Sequence, residues 1–589
     1  MNRKHFDLEG KKVILHTQGP ICTTSSELLH SEMFHKIVTS YCKSLIKKDA
    51  PAIGPCKAVF DTNDLPKRVT DLLIELAYEP LDEIIKNRPE LKPLAEKENR
   101  LYLHEFVERL YDYWRSFDRF MVLHSEPGKS SFDRRPYRSF NVTVETLTKI
   151  IRSTYRDICE NITGDHPRIY RQVFAGCDVG LIAVPRPTQL PAPYDTALHD
   201  VSFIRHVWIA PPMIIDPPSN KRSGQFERID DNPFENLKLD KKRWLCYPAQ
   251  VGPLVIFVYF HQQQMDLGCS LSNLFELATD EQIAKGPDAV YCFGVDPEVL
   301  AAHTANPTVF YDDEANGMMA AMVPNQPQFG YFGYLKKMIL TLHNIVMMKR
   351  RRLPYHGAMV RIMLKNGKAV NIVFMGDTAT GKSETLEAFR LLSQDQIREL
   401  KIVADDMGSF EITDDGRFIG YGTETGAFIR LDDLQAGYAF EQLDRAIIMS
   451  PQKVNARVVL PVTTLEEVLH GYPVDYLLYA NNYEQVDTDH PVLDFFTTPE
   501  TALRCFREGA SMAKGTTTSV GLGHNYFANI FGPPQYRDLH EELAQEYFNK
   551  AFKAGVKIGQ MRTRLGIPGY ESTGPQEVAK TIFDLLSKT

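Results

Sequence analysis

Between positions 25 and 161 apolar residues recur every three or four places. In LPKRVTDLLIELAYEPLDEIIKN and LYLHEFVERLYDYWRSF they gather on one face with charge on the other, which predicts amphipathic helices. From 170 to 324 the pattern shortens to DVGLIAVP, HVWIAPPMII, GPLVIFVYF and DAVYCFGV, separated by Pro, Gly and Asn clusters, as expected of strands in an α/β domain. Beyond 329, KAVNIVFM, LKIVADD and RAIIMS alternate with helical segments, and the chain from 538 onward reads as helix again. A chain of 589 residues is too long for one hydrophobic core. The expected organisation is α/β in three parts: a helical N-terminal region over 1–165, an α/β domain over 166–325, and a second α/β domain over 326–589.

Composition narrows the classes. With 43% hydrophobic and 24% charged residues and a formal net charge of -8, the chain is ordinary globular protein with no global attraction to nucleic acid or to an acidic membrane. Its longest apolar stretch, 251 to 260, is about half of the ~20 residues a membrane span needs. The opening MNRKHFDLEGKKVILH has no apolar run of signal type, so a cytoplasmic location is expected, without nucleic-acid or membrane partners. Nine cysteines occur without a CxxC pair and in odd number, which reads as buried thiols rather than a disulfide framework or zinc ribbon.

The chemistry concentrates in NIVFMGDTATGKSETLEAFRLL, an apolar strand, a G-x-x-x-x-G-K-S loop and an amphipathic helix. Gly376 and Gly381 let backbone N–H groups turn inward around phosphate oxygens, and the following helix adds its positive end. The loop runs through Asp377, Thr378, Ala379 and Thr380 to Lys382, which would neutralise the outer phosphates. Ser383 would ligate Mg²⁺, with Glu384 beside it. After the next apolar strand, Asp405 and Asp406 supply paired carboxylates suited to holding metal or taking a proton.

At these residues the chain resembles two related groups, the HPr kinase/phosphorylases and the phosphoenolpyruvate carboxykinases. YHGAMV, GDTATGKSET and VADD are similar to the His-Gly, GDSGxGKSET and VADD pattern of the former. The carboxykinase resemblance is looser in identity but runs from 286 to the C-terminus. FGYFGYLKKMILTLHNIV resembles the segment ending in Tyr-Gly-Gly-Glu-Met-Lys-Lys and aligns Tyr331, Lys336 and Lys337; GTETGAFIRL places Glu424 and Arg430 in the nucleotide segment; VNARVVLPV places Arg457. The resemblance implies a carboxykinase-like N-terminal α/β domain followed by a phosphate-loop domain. It further implies Lys337, His356 and Asp406 as ligands of a catalytic Mn²⁺, with Asp405 near the Mg²⁺ of the nucleotide. Three places depart from the carboxykinases: GTTTSVG puts Thr518 where their Thr-Glu-Arg-Gly arginine would stand, only NKRSGQFERID, through Arg222, answers to the N-terminal substrate segment, and the loop carries Asp377 and Glu384, as in the HPr kinases.

Two enzyme functions and one binding function follow as expectations. A carboxykinase-like enzyme would convert oxaloacetate and a nucleoside triphosphate, ATP with its base left open, to phosphoenolpyruvate, CO₂ and diphosphate. Decarboxylation makes its own nucleophile, so cations do the work: Lys336 lowers the pKa of its neighbour Lys337, and Arg457 clamps carboxylate or phosphoryl oxygens. A kinase of a small-molecule or protein hydroxyl would instead use Asp405 as general base. A nucleotide-sensing regulator would bind without turnover.

Overall fold

The computed structural model describes residues 5–588 apart from 127–132, 172, 187, 236, 302–306, 378–379, 393–396, 432–439 and 513–520. It is mixed α/β and divides into two compact units, Met1–Pro185 with Ile204–Ala210, and Arg186–Phe203 with Pro211–Thr589. Among the described residues no helix is long and apolar enough to cross a membrane.

The first unit departs from the helical region expected over 1–165. Helices Glu32–Lys47, Leu65–Leu76, Leu81–Asn87, Lys97–Arg115 and Thr146–Thr163 are present, but so is a sheet. Its hairpin, His5–Glu9 with Lys12–Thr17, is antiparallel. Lys12–Thr17 then runs parallel to Asp118–His124, and that strand parallel to Val179–Val184. KVILHT and DRFMVLH are short and nearly continuously apolar because their strands are buried on both faces, so they show neither the alternation of a half-exposed strand nor the period of a helix. The helices enclose a separate core in which Val69, Leu72, Leu103 and Phe106 are fully buried. All nine cysteines of the chain are free, and all but Cys505 are buried.

In the second unit a mixed sheet orders its strands Trp244–Val251, Leu254–His261, Ala289–Val295, Met318–Pro324, Val309–Asp313 and Glu227–Ile229. A second sheet is built around the long strand Leu353–Leu364. That strand pairs antiparallel with Ala369–Met375, with Ile397–Ala404 and with Met407–Ile412. Ala369–Met375 runs parallel to Tyr476–Asn481, which runs parallel to Lys557–Arg562. A smaller sheet joins Gly426–Arg430, Arg457–Pro461, Ile447–Met449 and Met213–Ile215.

The boundary expected at 325/326 does not divide this unit. Helix Phe332–Lys349 is buried on nearly every side, as an all-round apolar helix must be. It packs against Met318–Pro324 on one side of that boundary and Leu353–Leu364 on the other, so the two segments share an interior.

Phe106 sits fully buried in helix Lys97–Arg115 at the centre of the first unit's helical core. Phe106→Ala is expected to destabilise that unit by about 3–5 kcal/mol. The check is urea unfolding, with a lowered midpoint expected; an unchanged midpoint would mean the core repacks without loss.

Candidate functional site

Three neighbouring backbone features bring the expected residues into one cleft. The strand Ala369–Met375 runs into the phosphate loop, and helix Lys382–Leu392 leaves it. Gly376 allows no side chain: a Cβ there would lie 2.5 Å from Thr380 Oγ1 and 3.0 Å from Ala480 Cβ. Gly381 has φ +97°, and a Cβ on it would meet Thr563 at 2.8 Å. Thr563 Oγ1 in turn donates to the Thr380 carbonyl at 2.7 Å, which ties the loop to the neighbouring strand's exit. Asn525 donates to Asp377 Oδ2 at 2.9 Å. Lys382 is buried and donates to the carbonyls of Gly376 and of Asp377, the latter at 2.9 Å; burial pulls its pKa down against the carboxylates around it. Thr378 and Ala379 lie outside the described residues, as does Thr518.

The second feature is the pairing of His356 with Met407 across antiparallel strands, which sets Asp405 and Asp406 at the junction of two strands beside the histidine. His356 is 2% exposed; its Nδ1 contacts the Ala528 carbonyl, and its Nε2 lies 3.0 Å from Asp406 Oδ1. The third is helix Phe332–Lys349, which carries Lys336 and Lys337 one position apart, hence about 100° apart around its axis.

That rotation gives the two lysines different chemistry. Lys336 is 1% exposed and donates to Asp406 Oδ2 at 2.9 Å, with Glu424 Oε1 3.1 Å away. Burial alone would lower its pKa, but Asp406 and Glu424 reverse that and hold it above the ordinary lysine value. Lys337 stands 4.6 Å from the Phe531 ring centroid. It keeps some exposed surface yet is closely enclosed, so burial first and then the charge of Arg222, opposed by Asp406, bring its pKa down to about 8.

The carboxylates divide in the same way. Burial works against the charge of Asp406, but Lys336 and His356 outweigh it and keep the group well below the usual range. Burial and the neighbouring Asp406 push Asp405 up to about 6. Burial likewise raises Glu424 to about 8, against the pull of Lys336.

The cleft itself, about 130 Å³, is walled by Tyr331, Lys337, His356, Thr380 to Glu384, Asp405, Asp406, Phe428 to Arg430, Arg457, Asn529 and Phe531. It is smaller than the several hundred Å³ of a typical cofactor pocket. Arg430 and Arg457 are direct cross-strand partners, and both reach this wall. Arg457 stacks its guanidinium 5.3 Å from the Phe428 ring, and its buried Nε has no hydrogen-bond partner.

Most residues expected from the sequence therefore meet. Four described residues do not reach the wall: Gly376 and Asp377 of the loop, and the buried pair Lys336 and Glu424, in which the glutamate lies against the lysine instead of presenting itself to a nucleotide. Arg222 does come close, with its guanidinium 5.8 Å from the Phe531 ring that Lys337 also faces.

The sequence reading missed Asn529 and Phe531. Phe527, Ala528 and Asn529 take φ values of 43°, 57° and 64°, a left-handed run of non-glycine residues. Such a run costs energy and is kept where surrounding contacts impose it. Here it carries the Ala528 carbonyl to His356. Nothing in FANIFG signals it beyond the asparagine.

These residues suit a divalent ion. His356 Nδ1 is taken up by the Ala528 carbonyl, which leaves Nε2 to face Asp406 Oδ1 3.0 Å away. A cation can take the place of the proton between that nitrogen and that carboxylate, and Lys337 adds an amine whose pKa is already low. No family model matches the chain, and no curated protein matches its sequence.

The depressed Lys337 gives a pH dependence. Between about 8 and the ordinary 10.5 the unfolded chain holds a proton that the folded chain has lost, so this group makes stability rise with pH through that window. Competitive labelling with acetic anhydride follows the free-amine fraction directly. Half-maximal reactivity of Lys337 is expected near pH 8; a value near 10.5 would show an ordinary ammonium.

Proposed function

We propose that this protein is a nucleotide-dependent phosphotransfer enzyme of carboxykinase-like chemistry, acting on oxaloacetate or a closely related C₄ acid. The observation that carries this reading is the convergence on one cleft wall of Lys337, His356 and Asp406 with Lys382 of the phosphate loop and with Arg457. Lys337, His356 and Asp406 would hold Mn²⁺, and Ser383 with Asp405 would hold the Mg²⁺ of the nucleotide. Bound there, the ions would supply positive charge toward developing enolate and phosphoryl oxygens.

The chain's own residues account for the rest. Decarboxylation breaks the C–C bond to the departing CO₂ and leaves its electron pair as an enolate. The enolate oxygen attacks the γ-phosphorus as the bond to the nucleoside diphosphate breaks, so no proton need be removed. Arg457 and Arg430 would grip carboxylate and phosphoryl oxygens, Arg457 through its planar fork. Lys382 would neutralise the outer phosphates, and Tyr331 would close the wall beside Arg457.

One observation favours a second reading. Asp405, pushed up to about 6, is tuned close to neutrality, as a general base for a hydroxyl nucleophile should be. In that case the protein phosphorylates a small-molecule or protein hydroxyl.

The two readings ask different things of Asp405 and Arg457. The assay incubates the protein with oxaloacetate, ATP, Mg²⁺ and Mn²⁺ and follows phosphoenolpyruvate. Formation of phosphoenolpyruvate is expected, with Arg457→Lys losing about 10²-fold or more because charge without the fork no longer clamps the acid. Asp405→Asn should regain part of its rate at raised Mg²⁺. ATP turnover independent of oxaloacetate, which survives Arg457→Lys but falls about 10²–10⁴-fold in Asp405→Asn, would replace this reading by the kinase.

A further inference from the structure

The first unit holds a cluster with the donor chemistry of a metal centre. In the hairpin His5–Glu9 and Lys12–Thr17, His5 is the direct cross-strand partner of His16. Asp7, two residues from His5, projects to the same side of the strand. The imidazoles of His5 and His16 stack at 4.5 Å, and one ligand atom from each of His5, Asp7 and His16 lies within 4.8 Å of the others. We propose that these three side chains bind a divalent transition ion of the zinc class, at a site separate from the phosphate-loop cleft.

Three further features of the cluster support this. His16 is 7% exposed, and its Nε2 is a buried nitrogen without a hydrogen-bond partner. That atom lies 3.3 Å from Asp7 Oδ2 without hydrogen-bond geometry. Two donors bound to zinc at ~2.0–2.1 Å stand about 3.3–3.4 Å apart in a tetrahedral arrangement, so this edge already has the required length. On the other side of the ring, His16 Nδ1 is 2.9 Å from His124 Nε2. A metal-ligating histidine commonly engages its second nitrogen in this way, which fixes the ring's orientation.

The donor set decides the ion. Two imidazoles and one carboxylate suit Zn²⁺ and its neighbours in the first transition row rather than Ca²⁺ or Mg²⁺, which prefer oxygen shells. Three protein ligands leave a fourth position open, the arrangement of a reactive rather than a purely structural centre. His5 and His16 also belong to the wall of a cavity of about 690 Å³ lined by Phe34, Ile37, Trp114 and Tyr155. A small, largely apolar molecule in that cavity would reach the ion.

The test uses the full chain without an affinity tag, stripped with a chelator and titrated with Zn²⁺ and, for its visible bands, with Co²⁺. His5→Ala and Asp7→Asn are expected to bind about one ion fewer per chain than the unchanged protein and to lose the intense bands of four-coordinate Co²⁺. Because the count is a difference, an ion held by Lys337, His356 and Asp406 cancels from it. His5 is exposed and Asp7 partly so, which lets both variants fold; circular dichroism checks this. Equal ion content in the unchanged protein and both folded variants, or no Zn²⁺ taken up by the unchanged protein at micromolar concentration, overturns the proposal.

Discussion

The charge on which the cleft depends is the Lys336 ammonium, shut away from solvent between Asp406 and Glu424. Leaving a buried carboxylate without its cation typically costs about 3–5 kcal/mol, and Asp406, which this lysine holds ionised, would be left in that position. The consequence reaches the next residue. Burial lowers both lysines, but Asp406 and Glu424 outweigh it at Lys336, whereas at Lys337 burial and the charge of Arg222 outweigh Asp406, so adjacent lysines of one helix take opposite shifts. A helix that is apolar elsewhere holds both at fixed angles, which a loop could not do.

The histidine is positioned by a different device. His356 lies in the long central strand, so its backbone is rigid, but its ring is set by a carbonyl from the left-handed run Phe527, Ala528 and Asn529. Asn344 Nδ2 donates to the Phe531 carbonyl at 2.8 Å, which anchors the end of that run to helix Phe332–Lys349. The helix that carries the lysines thus also fixes the segment that orients the histidine. Two of the proposed metal-holding groups share one support, while Asp406 comes from the strand paired with His356.

Much of this site was legible because local rules govern it. GDTATGKS is a loop whose glycines answer to a close approach and a positive φ, and both demands are met in the structure at Gly376 and Gly381. Asp405 and Asp406 follow an apolar strand, and LKK opens a helix, so their placement on elements could be read directly. What the pattern could not carry was burial and direction. Glu424 has the type and order of a nucleotide contact, but its side chain turns inward, a fact set by tertiary packing. Asn529 and Phe531 follow a left-handed conformation at Phe527 and Ala528 that those two residue types do not announce. At the level of fold, continuous apolar runs in the first 165 residues concealed strands within an otherwise helical pattern, and helix Phe332–Lys349 joins segments that composition had separated.

The two aspartates show how nearly the competing chemistries share one framework. Asp405 and Asp406 are adjacent and both enclosed, so environment alone divides them: Lys336 and His356 hold Asp406 ionised, and that fixed negative charge, together with burial, lifts Asp405. A pair driven apart in this manner gives one permanent anion suited to a cation and one group that can exchange a proton near neutral pH. The permanent anion is required by either chemistry. The exchangeable group is required only where a hydroxyl must lose its proton, whereas the opposed Arg430 and Arg457 are required where a dianionic acid must be held. The raised Asp405 follows from burial and from Asp406 without needing a purpose of its own. Arg430 and Arg457 are therefore the residues at which the two proposed chemistries differ most.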